Sequence, residues 1–237
     1  MSKNVLIIYI IIVMSINNYN INGSGVMLIE NYTNKQGRKG LAVILFKDIR
    51  KNKYSEAGGY INPGENILEA AQAELEEESA NLFRIDQKYL MNFVIYNSYT
   101  CFPLFITGPP EEYYTIQSKY YKYNLFTLRK NNAPPDYLET VNMKRFYISD
   151  LIGAGLLSTV GDMICNDADG KFKLVYGRTI NILREMVIAG IIRVNYDNII
   201  QPVQVNLPLI TLSIMKLYDV NPINRTFLTN TISYYAI

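Results

Sequence analysis

The residues of this chain that could do chemistry are concentrated in one acidic stretch, GGYINPGENILEAAQAELEEESA, at residues 58–80. Five glutamates lie in its predicted helical part, at positions 69, 74, 76, 77 and 78. No Lys or Arg occurs between Lys53 and Arg84. Because like charges three or four residues apart on a helix repel each other, the stretch is either a solvated acidic face or a surface that holds a cation.

The spacing of three of these glutamates suits a metal ion. Glu74 lies three residues before Glu77 and four before Glu78, so the three carboxylates share one face of a helix. A hard divalent cation such as Mg²⁺ takes several oxygen ligands in a compact array. The sequence therefore offers a candidate metal site, with the solvated acidic face as the alternative.

The composition of the chain narrows the chemistry to carboxylates. Its 237 residues include no His and no Trp, which excludes His-based zinc sites, Ser-His-Asp triads and Cys-His pairs. The two cysteines, Cys101 and Cys165, are far apart in sequence and are expected to be buried thiols. The net charge of +2 gives no overall attraction to nucleic acid, so no DNA partner is predicted.

The spacing around the glutamates resembles the signature of the Nudix hydrolases. That signature is a Gly, five residues, a Glu, seven residues, and then Arg-Glu-apolar-x-Glu-Glu-x-Gly-apolar. Its matched positions here are Gly59, Glu65, Glu74, Leu75, Glu77 and Glu78. The lead-in at 58–65 and the aromatic-apolar segment at 146–151 are also similar to the family. The departures are Ala73 in place of Arg, Ala80 in place of Gly, and Asn81 in place of the last apolar residue.

The resemblance implies an activity and a cofactor. Nudix enzymes cleave a pyrophosphate that joins a nucleoside to another group, and they use Mg²⁺ or Mn²⁺. Carried over by position, the metal ligands would be Glu74, Glu77 and Glu78, with the backbone of Gly58 close to the metal. A glutamate among the metal ions can also accept the proton of the attacking water, so Glu77 is a candidate catalytic residue as well.

Two further glutamates are candidate catalytic residues. Glu65, in the lead-in, would be an additional acidic participant. Many family members add a glutamate late in the domain, and Glu139 is the candidate here, with Glu111 and Glu112 as rivals. An ordinary loop acid is the alternative interpretation of each of these late glutamates.

The missing signature arginine opens a second interpretation of the function. In the family this arginine is thought to hold the glutamates in place by ion pairing, and Ala73 cannot do so. Either another cation takes over or the site binds metal poorly. The basic loop with Arg50, Lys51 and Lys53 is a candidate by its proximity in sequence. The alternative function is a catalytically inactive Nudix-fold binding or interaction protein.

The substrate is predicted only as a nucleotide-type small molecule, with capped RNA among the candidates. Lys47, Arg50 and Lys51 could contact phosphates, although a solvated loop explains them equally well. Several tyrosines could stack on a base, or could simply pack in the core, at positions 113, 114, 120, 121 and 123.

The elements that must position these residues are expected to form an α+β fold. The resemblance implies a Nudix-type α/β/α sandwich with a mixed, partly curled central sheet. Helices are predicted at 66–80 and 177–191, on opposite faces of the sheet. The first begins at Asn66, which forms a capping box with Glu69, while Glu76 faces solvent. Strands are predicted at 26–32, 41–46, 124–130 and 144–151, with two more in 89–105 around a turn at 97–98.

Three regions are predicted along the chain. Residues 23–194 form the Nudix domain, and 195–237 are an extension of unknown role, with homodimerisation or partner binding as options. Residues 1–22 contain an apolar run that is too short to span a bilayer as a helix. A folded strand, a signal peptide or anchor, and a disordered tail remain open for this segment. Any membrane association would involve only residues 5–16, and a cytoplasmic location is expected.

Overall fold

The computed structural model describes residues 20–107, 114–155, 161–193, 204–205, 207–210, 212–217 and 229–233. The helices are α1 (Ile67–Glu78), α2 (Tyr114–Lys130), α3 (Ile148–Gly155) and α4 (Gly177–Ile188), with short 3-10 turns at Gln87–Tyr89 and Pro135–Leu138. The first strands are β1 (Gly23–Thr33), β2 (Lys39–Asp48), β3 (Tyr54–Ser55), β4 (Ala57–Tyr60), β5 (Val94–Tyr96), β6 (Tyr99–Ile106) and β7 (Thr140–Tyr147). The later strands are β8 (Met163–Asn166), β9 (Phe172–Val175), β10 (Ile192–Arg193), β11 (Gln204–Val205), β12 (Leu209–Ile210), β13 (Ser213–Leu217) and β14 (Thr229–Ser233).

Among the described residues, the central sheet has ten strands and is mixed, as the resemblance implies. Strand β1 runs parallel to β6 on one side. On its other side it pairs antiparallel with two strands in succession, with β4 over residues 23–26 and with β2 over residues 28–33. Because β1 changes partner along its length, the sheet curls, and β4 with its glycines is brought beside the start of β1.

Two hydrophobic layers cover the two faces of the sheet. Alternate residues of β1 point to opposite sides, as a strand requires, so Leu28 lies in the core under α1 and Ile29 lies in the core under α4. Helix α1 contributes Leu75 to the first core, and α4 contributes Leu183 to the second. A strand that is buried on both faces has a continuous run of apolar residues in its sequence. This accounts for the run LAVILF in β2. The predicted α/β/α sandwich, with α1 and α4 on opposite faces, is confirmed.

Helix α1 begins as its sequence indicates. The Asn66 side chain accepts hydrogen bonds from the amides of Leu68 (2.9 Å) and Glu69 (3.0 Å). In return, the Glu69 carboxylate accepts one from the Asn66 amide at 3.0 Å. This reciprocal pair satisfies backbone donors that the first turn of a helix leaves without partners. The predicted capping box is confirmed, and it fixes where the helix that carries the acidic face begins.

The end of α1 explains one departure from the Nudix signature. Ala80 occupies the signature glycine position and has a φ of +54°, the left-handed conformation that glycine adopts most easily. Its amide bonds the Glu77 carbonyl at 3.0 Å, and the next residue, Asn81, bonds the Glu76 carbonyl at 2.7 Å. The chain therefore keeps the helix-ending backbone shape without glycine, at the modest cost of a left-handed alanine.

The prediction of a strand at 124–130 is wrong, because these residues belong to α2. The buried positions of this helix recur every three or four residues, which is the spacing of a helical face, at Gln117, Tyr121, Asn124, Leu125 and Leu128. Tyrosine and asparagine on that face hid the pattern in the sequence. The prediction of a strand at 144–151 also runs too far, since β7 ends at Tyr147 and α3 follows. The hairpin turn at 97–98 is confirmed, with Asn97 at a φ of +55°.

Tyr121 contributes to folding and is not available to stack on a base. Its side chain is 2% exposed, and its hydroxyl donates to Thr140 Oγ1 at 2.9 Å. Thr140 in turn donates to the Glu78 carbonyl at 2.6 Å. This chain of bonds ties the end of α1 to β7 and α2, and so holds the acidic helix against the sheet. Of the other tyrosines considered for stacking, Tyr113 lies outside the described residues.

Several predictions concern residues mostly outside the described part of the chain. These are the apolar segment at 1–22, Glu111 and Glu112, and much of the extension at 195–237. Within that extension, β12 joins the sheet beside β6, and Leu212 packs in the core under α1. Both cysteines are buried and free, as predicted. None of the described helices combines the length and the apolar character needed to cross a membrane.

Replacement of Thr140 by Val tests the bond chain that holds α1. The substitution Thr140→Val keeps the shape of the side chain but leaves the Glu78 carbonyl and the Tyr121 hydroxyl without this partner, which should lower the free energy of unfolding by about 1–3 kcal/mol. Chemical denaturation measures this change. Thr100→Val is the matched control, because the buried Thr100 hydroxyl has no hydrogen-bond partner in the described structure and its removal should be neutral or stabilising. Equal effects of the two substitutions would contradict this account of α1.

Candidate active site

The acidic face of α1 borders a cleft of about 650 Å³. Glu74, Glu77 and Glu78 all line it, so the structure brings together the three glutamates whose spacing suggested a metal site. The Gly58–Gly59 segment of β4 lines the cleft beside them, because β4 packs against α1. The carboxylates therefore face a shared space and do not splay into bulk solvent.

Glu78 is the most deeply placed of the three glutamates. Its residue is 9% exposed, and its Oε2 accepts a hydrogen bond from the Gly58 amide at 3.3 Å. Burial raises the pKa of Glu78 well above its ordinary value, and the neighbouring charges of Glu74 and Glu56 raise the pKa further. A carboxylate in this position is costly to ionise unless positive charge is brought to it.

Glu74 and Glu77 are partly buried, and neighbouring carboxylates disfavour the ionised form of each, as they do for Glu78. Burial raises the pKa of Glu74 to about 7, and the charge of Glu77 is the next cause. Burial also raises the pKa of Glu77 to about 7, followed by the charges of Asp136 and Glu65. Among the described residues, no side chain or amide donates a hydrogen bond to either carboxylate. The cluster thus concentrates negative charge with few donors to balance it.

The two glycines of β4 are required by close packing. A Cβ atom on Gly59 would overlap Glu74 Oε1, and a Cβ atom on Gly58 would overlap the Tyr99 hydroxyl. A Cβ on Gly58 would also lie 2.8 Å from the Cα of Gly25 in β1. Gly59 therefore lets the backbone of β4 approach the Glu74 carboxylate, and Gly58 lets it pack against Tyr99 and β1.

The cation that lies beside this cluster is Arg178, in the first turn of α4. Its Nε donates to Glu56 Oε1 at 2.7 Å and its Nη2 donates to the Gly58 carbonyl at 3.2 Å. Its guanidinium carbon lies 4.0 Å from the centroid of the Tyr99 ring. The positive charge of Arg178 partly offsets the upward pKa shifts of Glu74 and Glu78. The sequence contained no signal for this residue, because it lies about a hundred positions beyond the glutamates.

The basic loop after β2 does not contact the three glutamates. Arg50 pairs with Glu139, and Lys53 pairs with Asp162. Lys51 pairs with Asp48 at 3.3 Å. The expectation that this loop replaces the signature arginine is therefore not supported by the ion pairs in the structure. Arg50 and Lys51 do line the cleft, where they add positive charge.

The two other candidate acids lie close to the cluster in different ways. Glu65 accepts a hydrogen bond from the Asn62 amide at 3.1 Å, which closes the turn before α1. Its charge still raises the pKa of both Glu74 and Glu77. Glu139 lines the cleft beside Arg50, and its carbonyl accepts a hydrogen bond from the Ile49 amide at 2.8 Å.

Sequence reasoning missed one acid and placed another only approximately. Asp136 lines the cleft and is the charge that raises the pKa of Glu77 most. It lies in the Pro-rich segment NNAPPDYLET, which gave only a turn signal. Glu76 was expected to face solvent and instead pairs with Arg84 at 3.4 Å, with a side chain that is 20% exposed.

The residues of the cleft fit a hard divalent cation. In the arrangement seen, no three acidic or Cys side chains of the described residues already converge to hold a metal ion. The available donors are nevertheless carboxylate oxygens and the Gly58 carbonyl, which has a second lone pair besides the one that Arg178 uses. Such donors suit Mg²⁺ or Mn²⁺. A bound cation would also remove the mutual repulsion that raises the pKa of Glu74 and Glu78.

Comparison with known proteins finds similarity in structure alone. No protein-family model and no curated protein sequence matches the chain. An Ap4A hydrolase from C. elegans, solved as a binary complex, is 14% identical over 72% of this chain and 98% of its own, with a TM-score of 0.36. A MutT/nudix family protein from Listeria innocua is 15% identical over 70% of this chain and 91% of its own, with a TM-score of 0.33. A MutT/nudix family protein from Enterococcus faecalis is 12% identical over 69% of this chain and 61% of its own, with a TM-score of 0.35. These values assign no activity, so the functional argument depends on the cleft itself.

The pKa shifts predict that the metal-free protein loses stability as the pH rises through 7. Glu74 and Glu77 have a pKa of about 7 in the folded protein and about 4.3 in an unfolded chain. The folded state therefore binds more protons between these values. Its stabilisation from the two groups is complete below the unfolded pKa and is lost as the pH rises through the folded pKa. Thermal unfolding in EDTA between about pH 5 and pH 8 measures this, in a chain that has no His to titrate in that range.

Two variants separate the cluster from other titrating groups. Glu74→Gln should flatten the dependence of Tm on pH. Glu76→Gln removes a carboxylate that pairs with Arg84 and raises the pKa of Glu77 less than Asp136 and Glu65 do, so it should change the dependence much less. Mn²⁺ added at the alkaline end should raise the Tm of the wild-type protein, because a ligand that binds the folded state stabilises it. An unchanged pH dependence in Glu74→Gln would contradict the electrostatic account of the cleft.

Proposed function

We propose that the protein is a metal-dependent pyrophosphohydrolase that cleaves a nucleoside diphosphate linked to another group. The observation that carries the proposal is that Glu74, Glu77 and Glu78 line one cleft beside the glycine backbone of β4. The Nudix signature spacing, which the sequence shows at six positions, supports the same conclusion. The cleft volume lies within the range of small-molecule sites.

In this proposal the glutamates of α1 hold the metal and prepare the attacking water. Glu74, Glu77 and Glu78, with the Gly58 carbonyl, would hold Mg²⁺ or Mn²⁺. When bound, such an ion supplies positive charge for the phosphate oxygens of the substrate. Glu77 is proposed to accept the proton of the water as its oxygen bonds to phosphorus and the bridging P–O bond breaks. The electron pair of the broken bond stays on the oxygen of the departing phosphate. The products are a nucleoside phosphate and the phosphate of the other group.

The roles of the remaining acids follow from their contacts. Glu139 lies on the cleft outside α1 and pairs with Arg50, so it is proposed as a second candidate proton acceptor. Glu65 holds the turn before α1 and adds negative charge to the cluster. It is proposed to tune the affinity of the site for the cation rather than to touch the reacting atoms.

The cleft also carries groups that suit a nucleotide. Arg50, Lys51, Tyr60 and Tyr96 line it together with the glutamates. The Tyr60 side chain belongs to a residue that is 79% exposed, so its ring is available for stacking on a base. Cations for phosphates and an exposed aromatic ring for a base are what a nucleoside diphosphate derivative requires. This arrangement supports the nucleotide class and leaves open which group is attached, including capped RNA.

A hydrolysis screen with a single substitution tests the proposed function. ADP-ribose, nucleotide sugars, dinucleoside polyphosphates and capped RNA are offered with Mg²⁺ or Mn²⁺, and at least one should be hydrolysed. Glu77→Gln should lower kcat by at least about 100-fold, because it removes both a ligand and the proposed proton acceptor. Glu76→Gln is the matched control, since Glu76 pairs with Arg84.

The same screen distinguishes the alternative function. Ala73, in place of the signature arginine, is the observation that favours a catalytically inactive binding protein. No turnover of any substrate, together with no binding of Mn²⁺, would support that alternative. Turnover that survives Glu77→Gln would overturn the assignment of residues.

Substitution of Gly59 tests whether β4 and α1 form one site. The Cβ of Gly59→Ala would displace the Glu74 carboxylate, so the affinity for Mn²⁺ should fall by about 10–100-fold, as for other residues that orient metal ligands. Gly153→Ala in α3 is the control, because a Cβ there meets nothing within 4 Å. Titration calorimetry measures both affinities, and an unchanged affinity in Gly59→Ala would place the metal elsewhere.

A further inference from the structure

Ala73 leaves the acidic helix without the arginine that the Nudix signature places on it, and the structure brings an arginine to the cluster from another element. We infer that Arg178 of α4 is the positioning residue that replaces it. Through the Gly58–Gly59 backbone, it holds Glu78 and Glu74 in place for a divalent cation. This inference rests on the proposed function of the cleft, because it assumes that the glutamates bind a metal.

The guanidinium of Arg178 is held in place by the carboxylate of Glu56 and the ring of Tyr99. Glu56, which is fully buried, accepts from its Nε at 2.7 Å, and the second carboxylate oxygen of Glu56 accepts from the Thr179 hydroxyl. The Tyr99 ring covers one face of the guanidinium at 4.0 Å. A planar guanidinium held on its edge and its face is pre-organised in a way that a flexible surface lysine is not.

The contact that reaches the glutamates passes through one residue of β4. Arg178 Nη2 donates to the Gly58 carbonyl at 3.2 Å, and the Gly58 amide donates to Glu78 Oε2 at 3.3 Å. The next residue, Gly59, lies against the Glu74 carboxylate. Arg178 holds the Gly58–Gly59 backbone, and the carboxylates of Glu78 and Glu74 contact that backbone. Arg178 therefore sets the positions of both carboxylates without binding either one directly.

The charge of Arg178 acts in the same direction as its contacts. It opposes the repulsion among the carboxylates of Glu56, Glu74 and Glu78, which all lie close to it. An arginine at position 73 could supply a similar charge, because a side chain there lies one helical turn before Glu77 on α1. The two positions are therefore alternative sources of one guanidinium for the same cluster.

A purely structural role for Arg178 is the competing explanation. Breaking a buried ion pair by removal of one partner is strongly destabilising, so Arg178→Gln should lower stability through Glu56 alone. The double variant Glu56→Gln/Arg178→Gln removes both charges and should recover most of that stability. If Arg178 positions the glutamates, this double variant stays deficient in metal binding although it is folded.

The experiment measures Mn²⁺ affinity by electron paramagnetic resonance and stability by chemical denaturation. The variants are Arg178→Gln, Arg178→Lys, Glu56→Gln/Arg178→Gln and Ala73→Arg/Arg178→Gln. We expect the Glu56→Gln/Arg178→Gln variant to bind Mn²⁺ about 10–100-fold more weakly than wild type. Arg178→Lys should recover part of the affinity, and adding Ala73→Arg to Arg178→Gln should recover at least about tenfold. Ala73→Arg alone should change the affinity little.

The outcomes separate this inference from the proposed function. Wild-type affinity in the folded Glu56→Gln/Arg178→Gln variant would overturn the role of Arg178, as would a failure of Ala73→Arg to recover binding in a folded Arg178→Gln protein. If Glu77→Gln loses Mn²⁺ binding while one of these two results is obtained, the role of Arg178 is overturned and the proposed function of the cleft still stands. Wild-type protein that binds no Mn²⁺ would overturn both.

Discussion

The burial of like charges is the constraint on which the rest of this structure depends. Glu74, Glu77 and Glu78 lie on one face of α1 and point into a cleft where the described residues offer them one hydrogen bond, from the Gly58 amide. Burying a carboxylate without a partner is costly, and the raised pKa of each group expresses that cost. A divalent cation could pair with the three carboxylates, which is why we propose that the cleft binds one.

The sandwich architecture brings a positive charge from α4 close to the acidic face of α1, which has no arginine of its own. Because β1 pairs with β4 at its beginning and with β2 farther along, the glycines of β4 lie between the two helical layers. Gly59 contacts the Glu74 carboxylate of α1 closely because it has no Cβ. The carbonyl of Gly58 accepts a hydrogen bond from Arg178 of α4. Positive charge from one layer thereby reaches the acidic face of the other. In the proposed account, Arg178 takes the place of the arginine that the signature has at position 73.

The parts of the site that could be predicted from the sequence are those set by local spacing. The cap at Asn66, the span of α1 and the shared face of its three glutamates follow from intervals of three and four residues. Arg178 and Asp136 could not be predicted, because their approach to the cleft depends on the packing of distant elements. The strand predicted at 124–130 is instead the end of α2, whose buried face carries polar residues such as Gln117 and Asn124 and therefore gives no helical hydrophobic pattern in the sequence.

The measurement that tests this account most directly is the location of the metal in a crystal of the protein grown with Mn²⁺. Anomalous scattering identifies the ion independently of its ligands. The account predicts a peak in the cleft at about 2.0–2.6 Å from carboxylate oxygens of Glu74, Glu77 and Glu78, with Arg178 still bonded to Glu56 and the Gly58 carbonyl. A cleft without a peak, or an ion held by other residues while these glutamates remain apart, would contradict it.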